Sequence, residues 1–134
     1  MGFGMCASNR DILRRFERPS NTGGFERDDP HVGIGMVGAP DRGEVVRLAV
    51  RISPTGFIAG ARFKAFGGPA TIAAASLACE LMQGKSTAEA AALSGSELGQ
   101  RLRFEPSEMR AASLAQAAIH AAIADFRARN QELQ

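Results

Sequence analysis

The sequence contains no tryptophan and no tyrosine, and only two of its 134 residues are cysteines. Cys6 and Cys79 lie far apart, so they do not form a disulfide framework, and neither has a second cysteine at zinc-finger spacing. Any metal site in this chain therefore cannot be rich in thiolates. No stretch approaches the roughly 20 apolar residues that cross a bilayer, and the N-terminus lacks the pattern of a secretory signal. We therefore expect a cytoplasmic protein with no membrane partner.

The composition is that of one soluble globular domain. Hydrophobic residues make up 45% of the chain, and the net charge is only +2. A charge this small gives no reason to expect a nucleic-acid partner, which would need a concentrated basic face. Lys64 and Lys85 are the only lysines. The resulting arginine bias suits carboxylate or phosphate recognition, although genomic base composition explains it equally well.

The N-terminal third of the chain shows few signs of regular structure. Residues 1–10 predict a flexible tail, and residues 11–130 predict a single domain. Apolar residues at helical spacing predict a short helix at 11–16. Residues 18–43 are dense in Gly, Pro, Asp and Asn and predict a long loop. Its glycines within 33–38 are only weakly similar to a phosphate-binding loop, since no strand precedes them.

Two strands are predicted next. Aliphatic residues alternate with Arg47 and Arg51 between residues 45 and 52, the period-two pattern of a half-buried strand. A Ser-Pro-Thr-Gly turn follows. Residues 57–66 alternate again, which predicts Arg62 and Lys64 on the outer face. The predicted core face comprises Phe57, Ala59, Ala61, Phe63 and Ala65. Together these segments form an antiparallel hairpin, to which we expect one further short strand before or after it.

Helices fill the rest of the chain. Residues 67–69 (Gly-Gly-Pro) end the second strand and open a helix at 70–82, which is apolar nearly all round and therefore buried. Ser86 and Glu89 form a capping box that begins a short helix. Strands followed by helices predict an α+β fold. Further helices are predicted at 96–102 and 107–128.

Three segments, VGAPDRGEV, FKAFGGPATIAAASLA and MRAASLAQAAIHAAIADF, resemble the IscU/NifU N-terminal family of iron–sulfur cluster assembly scaffolds. The resemblance runs from about residue 11 to about residue 128. It also covers VGIGMVGAP and the Gly-Lys-Ser between two helices. It implies a small antiparallel sheet with helices packed on one side, in agreement with the residue patterns.

The family assembles a [2Fe–2S] cluster on three cysteines and an aspartate or histidine. The cysteine positions correspond to Arg42, Gly68 and Ala111, the aspartate to Glu44 and the histidine to Arg110. Clusters are held by thiolates, so we predict a degenerate member with no cofactor at this site. The resemblance then implies a non-enzymatic accessory protein of iron–sulfur cluster assembly. Its expected partners are a cysteine desulfurase or a cluster acceptor.

The family's Hsp70-recognition segment corresponds to residues 104–108. Only the second proline of that motif, Pro106, is retained, so the resemblance gives no support for docking of the chaperone.

The replacements at the vestigial site suggest three alternatives. Arg42 and Arg110 could bind a small anion or an acidic partner side chain, helped by the N-terminus of the following helix. They could instead pair with Asp41, Glu44 or Glu108 and merely fill space. A third alternative is weak binding of Fe²⁺ or Zn²⁺ through Glu44, Asp41 and a loop group.

Other candidate side chains carry less chemistry. Cys79 is predicted to be a buried, inert thiol. Asp28, Asp29 and His31 could touch a divalent cation, but no third fixed ligand is supplied and a solvated loop is favoured. His120 is predicted to be exposed on the last helix.

Overall fold

A computed structural model describes residues 22–132 of the chain. The predicted tail at 1–10, the helix at 11–16 and Cys6 lie outside the described residues. Within the described range, three strands precede four helices. The elements are β1 (Val32–Ala39), β2 (Glu44–Ile52), β3 (Ile58–Phe66), α1 (Pro69–Met82), α2 (Thr87–Ala91), α3 (Gly95–Leu102) and α4 (Met109–Glu132).

The strands form one antiparallel sheet in the order β1–β2–β3. Val46, Leu48 and Val50 of β2 are fully buried on one face of this sheet. The helix α4 packs across β1 and β2 on that face, and α1 packs against β3. The predicted α+β fold with helices on one side of a small antiparallel sheet is confirmed.

The predicted loop at 18–43 is wrong for the segment that forms β1. Gly33 and Gly35 are buried, and a Cβ atom on either would lie well inside van der Waals contact of the Ala122 backbone in α4. The amide of Ile34 also donates to Asp125 Oδ2 at 2.8 Å. Glycines here permit a close strand–helix approach. These glycines do not form a phosphate-binding loop. Strand β1 is the further strand that was expected beside the hairpin.

The hairpin of β2 and β3 is confirmed. At the N-terminal end of β3, however, the side chains that face the core are not those predicted. Ala59 is an extra residue opposite the Arg51–Ile52 step, which makes a β-bulge. A bulge shifts the alternation of side chains by one residue. Ile58 is therefore buried, whereas Phe57 and Ala59 are exposed.

The helix signals in the sequence are confirmed. The N-cap residue of α1 is Gly68, and proline occupies the first turn. At the start of α2, Ser86 Oγ accepts from the Glu89 amide at 3.1 Å, and Glu89 Oε1 accepts from the Ser86 amide at 3.0 Å. The hydrogen bond that the Ser86 amide donates to the Glu89 carboxylate lowers the pKa of Glu89. Residues 107–108, predicted to open α4, instead form a 3₁₀ turn with Pro106.

Within residues 22–132, no helix has the length and apolar character needed to span a bilayer.

Candidate functional site

A cleft of about 600 Å³ lies at the end of the sheet where β2 begins and β3 ends. The β1–β2 turn forms one wall and the N-terminus of α1 forms the other. The cleft therefore brings together three of the predicted site residues. Arg42 and Glu44 come from the turn region, and Gly68 comes from the helix start. The lining residues are Pro40, Arg42, Gly43, Glu44, Val45, Phe66, Gly67, Gly68 and Thr71.

Glu44 is held by an arginine from a distant part of the sequence. Arg110 Nε lies 3.0 Å from Glu44 Oε1 and 3.3 Å from Oε2. The side chain of Glu44 is 23% exposed and that of Arg110 is 55% exposed. The structure thus brings together the two positions that correspond to the aspartate and histidine of the resembled family. It matches the alternative in which the arginine pairs with a neighbouring carboxylate.

Arg42 differs from Arg110. It is exposed at the end of the 3₁₀ turn formed by Pro40–Arg42. Among residues 22–132, no carboxylate lies within ion-pair distance of its guanidinium. Arg42 and the N-terminus of α1 therefore line the same cleft, and both favour negative charge.

Gly68 and Ala111 have different surroundings. Gly68 has an extended backbone, and a Cβ atom there would meet no other atom within 4 Å. A side chain larger than hydrogen would fit at this edge of the cleft. Ala111 directly follows Arg110 but is only 5% exposed and packs in the hydrophobic core. It does not line the cleft.

Sequence reasoning missed three residues of the cleft wall. Val45 and Phe66 line it, and Phe66 is 73% exposed. Thr71 also lines the cleft and is buried. The sequence does offer a signal for Thr71, because it is one of the few polar residues in the otherwise apolar helix α1. Nothing in the sequence pattern indicated that Phe66, at the end of its strand, would be exposed.

The described side chains form no obvious metal site. Within residues 22–132, no three histidine, cysteine, aspartate or glutamate side chains come together in a group that could hold an ion. Asp29 accepts a hydrogen bond from the His31 amide at 2.8 Å, and its other oxygen lies 3.5 Å from Arg51. This carboxylate therefore organises the loop before β1. In the cleft, a cation at Glu44 would meet the guanidinium of Arg110.

The remaining candidates have structural roles. Cys79 is completely buried in α1, and burial raises the pKa of its thiol to about 12. It therefore stays protonated near neutral pH and is a poor nucleophile. His120 is exposed, as predicted, and one ring nitrogen lies 2.9 Å from the carbonyl oxygen of Ala91.

Residues 104–108 connect α3 to α4. Pro106–Glu108 form a 3₁₀ turn, and the Glu105 amide donates to Glu108 Oε1 at 2.8 Å. The segment is thus shaped by its own hydrogen bonds.

The sequence profile of the NifU-like N-terminal domain matches residues 7–133. The chain belongs to this family. It is 38% identical over 125 residues to the iron-sulfur cluster assembly scaffold protein IscU of Escherichia coli (strain K12), covering 93% of this chain and 98% of that protein. It is 37% identical over 124 residues to the iron-sulfur cluster assembly enzyme IscU of Drosophila melanogaster, covering 92% and 80%.

Solved structures share the fold of this NifU-like domain. A nitrogen-fixing NifU-like protein (N-terminal) from Brucella abortus superimposes with a TM-score of 0.67 at 16% identity, covering 92% of this chain and 94% of that one. A putative iron-sulfur cluster assembly scaffold protein for the SUF system from Fervidobacterium islandicum AW-1 gives 0.66 at 17% identity, covering 84% and 93%. The resemblance found in the sequence is confirmed as family membership.

Proposed function

We propose that this NifU-like domain is a non-enzymatic accessory protein of iron–sulfur cluster assembly that acts through protein partners and does not ligate a family-type [2Fe–2S] cluster. Its relatives are named as cluster assembly scaffolds and are aligned over nearly the whole chain, which supports the role in assembly. The ion pair between Arg110 and Glu44 is the main support for the absence of a family-type cluster. The one acidic ligand position that is retained is engaged by an arginine.

The donor set of the cleft does not suit an iron–sulfur cluster. Clusters are cargo held by thiolates, and the cysteine positions are Arg42, Gly68 and Ala111. Arginine stays protonated, glycine supplies no donor, and alanine at 111 is buried in the core. Two cations at the rim would also oppose bound iron. The expected partners are a cysteine desulfurase or a cluster acceptor. Docking of an Hsp70 chaperone is not expected, because residues 104–108 retain only one proline of the recognition motif.

Anaerobic reconstitution with iron and sulfide tests this proposal. The wild-type chain should stay colourless, and with no tryptophan or tyrosine even a weak cluster band would stand out against protein absorbance. The IscU scaffold of Escherichia coli, treated in parallel, is the positive control. An Arg42→Cys/Gly68→Cys/Ala111→Cys variant tests whether the framework still accepts a cluster. A stoichiometric red-brown [2Fe–2S] spectrum of the wild-type chain would overturn the proposal.

The partner-based part is tested by affinity purification from the native host. Stoichiometric recovery of a cysteine desulfurase or an iron–sulfur acceptor supports it. Recovery of the chain alone, with the bait intact and partners expressed, contradicts it.

A second candidate function is binding of a small anion in the same cleft. It is favoured by Arg42, which has no carboxylate partner among residues 22–132 and lines the cleft together with the N-terminus of α1. Phosphate titration followed by NMR tests it, with Arg42→Glu as the cleft variant and Arg127→Glu on α4 as the control. Equal phosphate affinity of the two variants would end this alternative.

The weak-metal alternative requires Glu44 to leave Arg110. Arg110→Gln should then raise the affinity for Zn²⁺, measured by titration with a chromophoric chelator. No change in affinity would remove Glu44 as a ligand.

A further inference from the structure

The sheet face opposite the helices is half covered by the chain that precedes β1. The Gly23 amide donates to the Phe63 carbonyl oxygen at 2.9 Å. The guanidinium of Arg62 lies 4.7 Å from the centre of the Phe25 ring, which is a cation–π distance. Asp29 pairs with Arg51. Ala49, in the middle of this outer face, is only 1% exposed.

Within residues 22–132, the other half of this outer face is largely open. Met36 on β1 lies opposite Arg47 on β2, and Arg47 lies opposite Lys64 on β3. The next row contains Val45 opposite Phe66. Met36 is 68% exposed and Phe66 is 73% exposed. We define the open half of the sheet as Met36, Val45, Arg47, Lys64 and Phe66.

The charges of the open half are unbalanced within the described fold. Arg47 and Lys64 are direct cross-strand neighbours, and like charges in this relation destabilise a sheet. Within residues 22–132, neither of them forms an ion pair with a carboxylate. Residues 1–21 cannot balance this positive charge, because their own net charge is positive: they contain more arginines than carboxylates. These residues are Arg10, Arg14, Arg15 and Arg18 against Asp11 and Glu17.

The apolar members of the open half are equally unexplained by the fold. Methionine and phenylalanine are among the side chains whose burial stabilises a fold most, yet Met36 and Phe66 are the most exposed large apolar side chains among the described residues. They flank the Arg47–Lys64 pair on two sides. Exposed apolar groups with basic neighbours on a rigid sheet are typical of a surface that another molecule covers.

We propose that the open half of the sheet is a docking surface for a protein segment with acidic side chains around an apolar centre. A protein suits this surface better than a nucleic acid. Methionine, phenylalanine and arginine are enriched in protein interfaces, whereas nucleic acids require a larger basic footprint. The surplus charge of +2 lies in residues 1–21, so the described body is neutral.

This inference rests on the proposed function, because it assumes that the chain has a protein partner. It adds where that partner docks and which chemistry its docking segment has. It concerns the outer sheet face and not the vestigial cluster site, so the two can fail separately. A wild-type chain that assembles a cluster would overturn the proposed function and leave this docking surface standing. Loss of the docking surface would leave the reconstitution result unchanged.

Fluorescence anisotropy with a labelled synthetic peptide of alternating glutamate and leucine tests the chemistry of the surface. Lys64→Glu and Arg47→Glu should each weaken binding about tenfold, and Phe66→Ser should do the same. Arg127→Glu on α4 is the matched control and should bind like the wild type. The charge variants lie at exposed or partly exposed strand positions, and circular dichroism is used to check that each variant folds.

A peptide with glutamine in place of glutamate should bind at least about tenfold more weakly. Equal binding of the two peptides, equal weakening by Arg127→Glu, or tighter binding of single-stranded DNA would overturn the proposal. So would a change of oligomeric state in Lys64→Glu measured by size-exclusion chromatography, since the occupant would then be a second copy of the chain.

Photo-crosslinking from position 66 in the native host gives an independent readout. The cross-linked segment should be a protein segment with acidic residues beside apolar ones, and Lys64→Glu should abolish the cross-link. A cross-link to RNA, or to a protein segment without acidic residues, overturns the proposal. Absence of both peptide binding and a cross-link also overturns it.

Discussion

Arg110 Nε donates to both carboxylate oxygens of Glu44, at 3.0 and 3.3 Å, and so joins the first turn of α4 to the start of β2. By the resemblance in sequence, these two residues correspond to the family's histidine and aspartate positions. Their replacements are therefore a matched pair in space. At the edge of the cleft, the carboxylate of Glu44 is held in an ion pair within the fold.

This ion pair should contribute little to stability, because both side chains are partly solvated. A double-mutant cycle with Arg110→Gln and Glu44→Gln should give a coupling free energy of about 0.2–1 kcal/mol, measured by urea denaturation. The Arg101–Glu97 pair, at 3.3 Å on the surface of α3, is the matched control. Coupling should fall as salt is added. A coupling several times larger than in the control pair would contradict this.

Neighbouring glycines at the helix start should respond differently to alanine. Gly67 has φ of +150°, and a Cβ atom there would lie 2.9 Å from Thr71 Cβ. Gly67→Ala should therefore lower the free energy of unfolding by about 1 kcal/mol or more. Gly68→Ala should change it by less than about 0.5 kcal/mol, since its Cβ would meet open space. Thermal denaturation of both variants measures the two changes. An equal loss of stability would show that position 68 is as restricted as position 67.

The close packing of β1 on α4 predicts a larger loss. Gly35→Ala should lower the free energy of unfolding by about 1–3 kcal/mol, because the new methyl group meets the backbone of α4 as well as a side chain. Adding Ala121→Gly should rescue only part of the loss, as it removes the side-chain contact but leaves the backbone of Ala122 in place. Urea denaturation measures both. Full rescue would mean that the backbone contact is unimportant.

Cys79 predicts a loss of stability in alkali. Its thiol has a pKa of about 12 in the folded chain against an ordinary value of 9.0. Above about pH 9 the unfolded state releases this proton while the folded state retains it, so the folded state is progressively disfavoured until about pH 12. The contribution is about 1.4 kcal/mol per pH unit in that window. Cys79→Ala should remove it, as seen by comparing denaturation midpoints at pH 8 and about pH 10. Parallel pH dependence in both proteins would contradict the burial effect.

The hairpin and helices were predictable because their signals are local. Alternation fixed the facing of Leu48 and Val50, and a capping box marked Ser86. Strand β1 was missed because its glycines carry turn signals in sequence, and only contact with α4 shows why a strand needs them. The facing of Phe57 depended on a single extra residue, Ala59, which no pattern within the strand indicates.

The candidate site was only partly predictable. The resemblance identified Arg42, Glu44, Gly68, Arg110 and Ala111 through the order of motifs, and the structure gathers the first three around one cleft. The pairing of Arg110 with Glu44, rather than with nearby Glu108, depends on how α4 lies against β2. The burial of Ala111 and the exposure of Phe66 likewise follow from tertiary packing.

The glycine-mediated contact between β1 and α4 also determines when the molecule can be completed. The hydrogen bond from Ile34 to Asp125 joins residues 91 positions apart, so the strand is synthesised long before the helix that covers it. Contacts this distant in sequence are slow to form, because loop-closure entropy is lost before they are made. A chain still on the ribosome would thus hold a finished hairpin beside an uncovered strand. The sheet can therefore be covered, and the core completed, only after α4 has emerged.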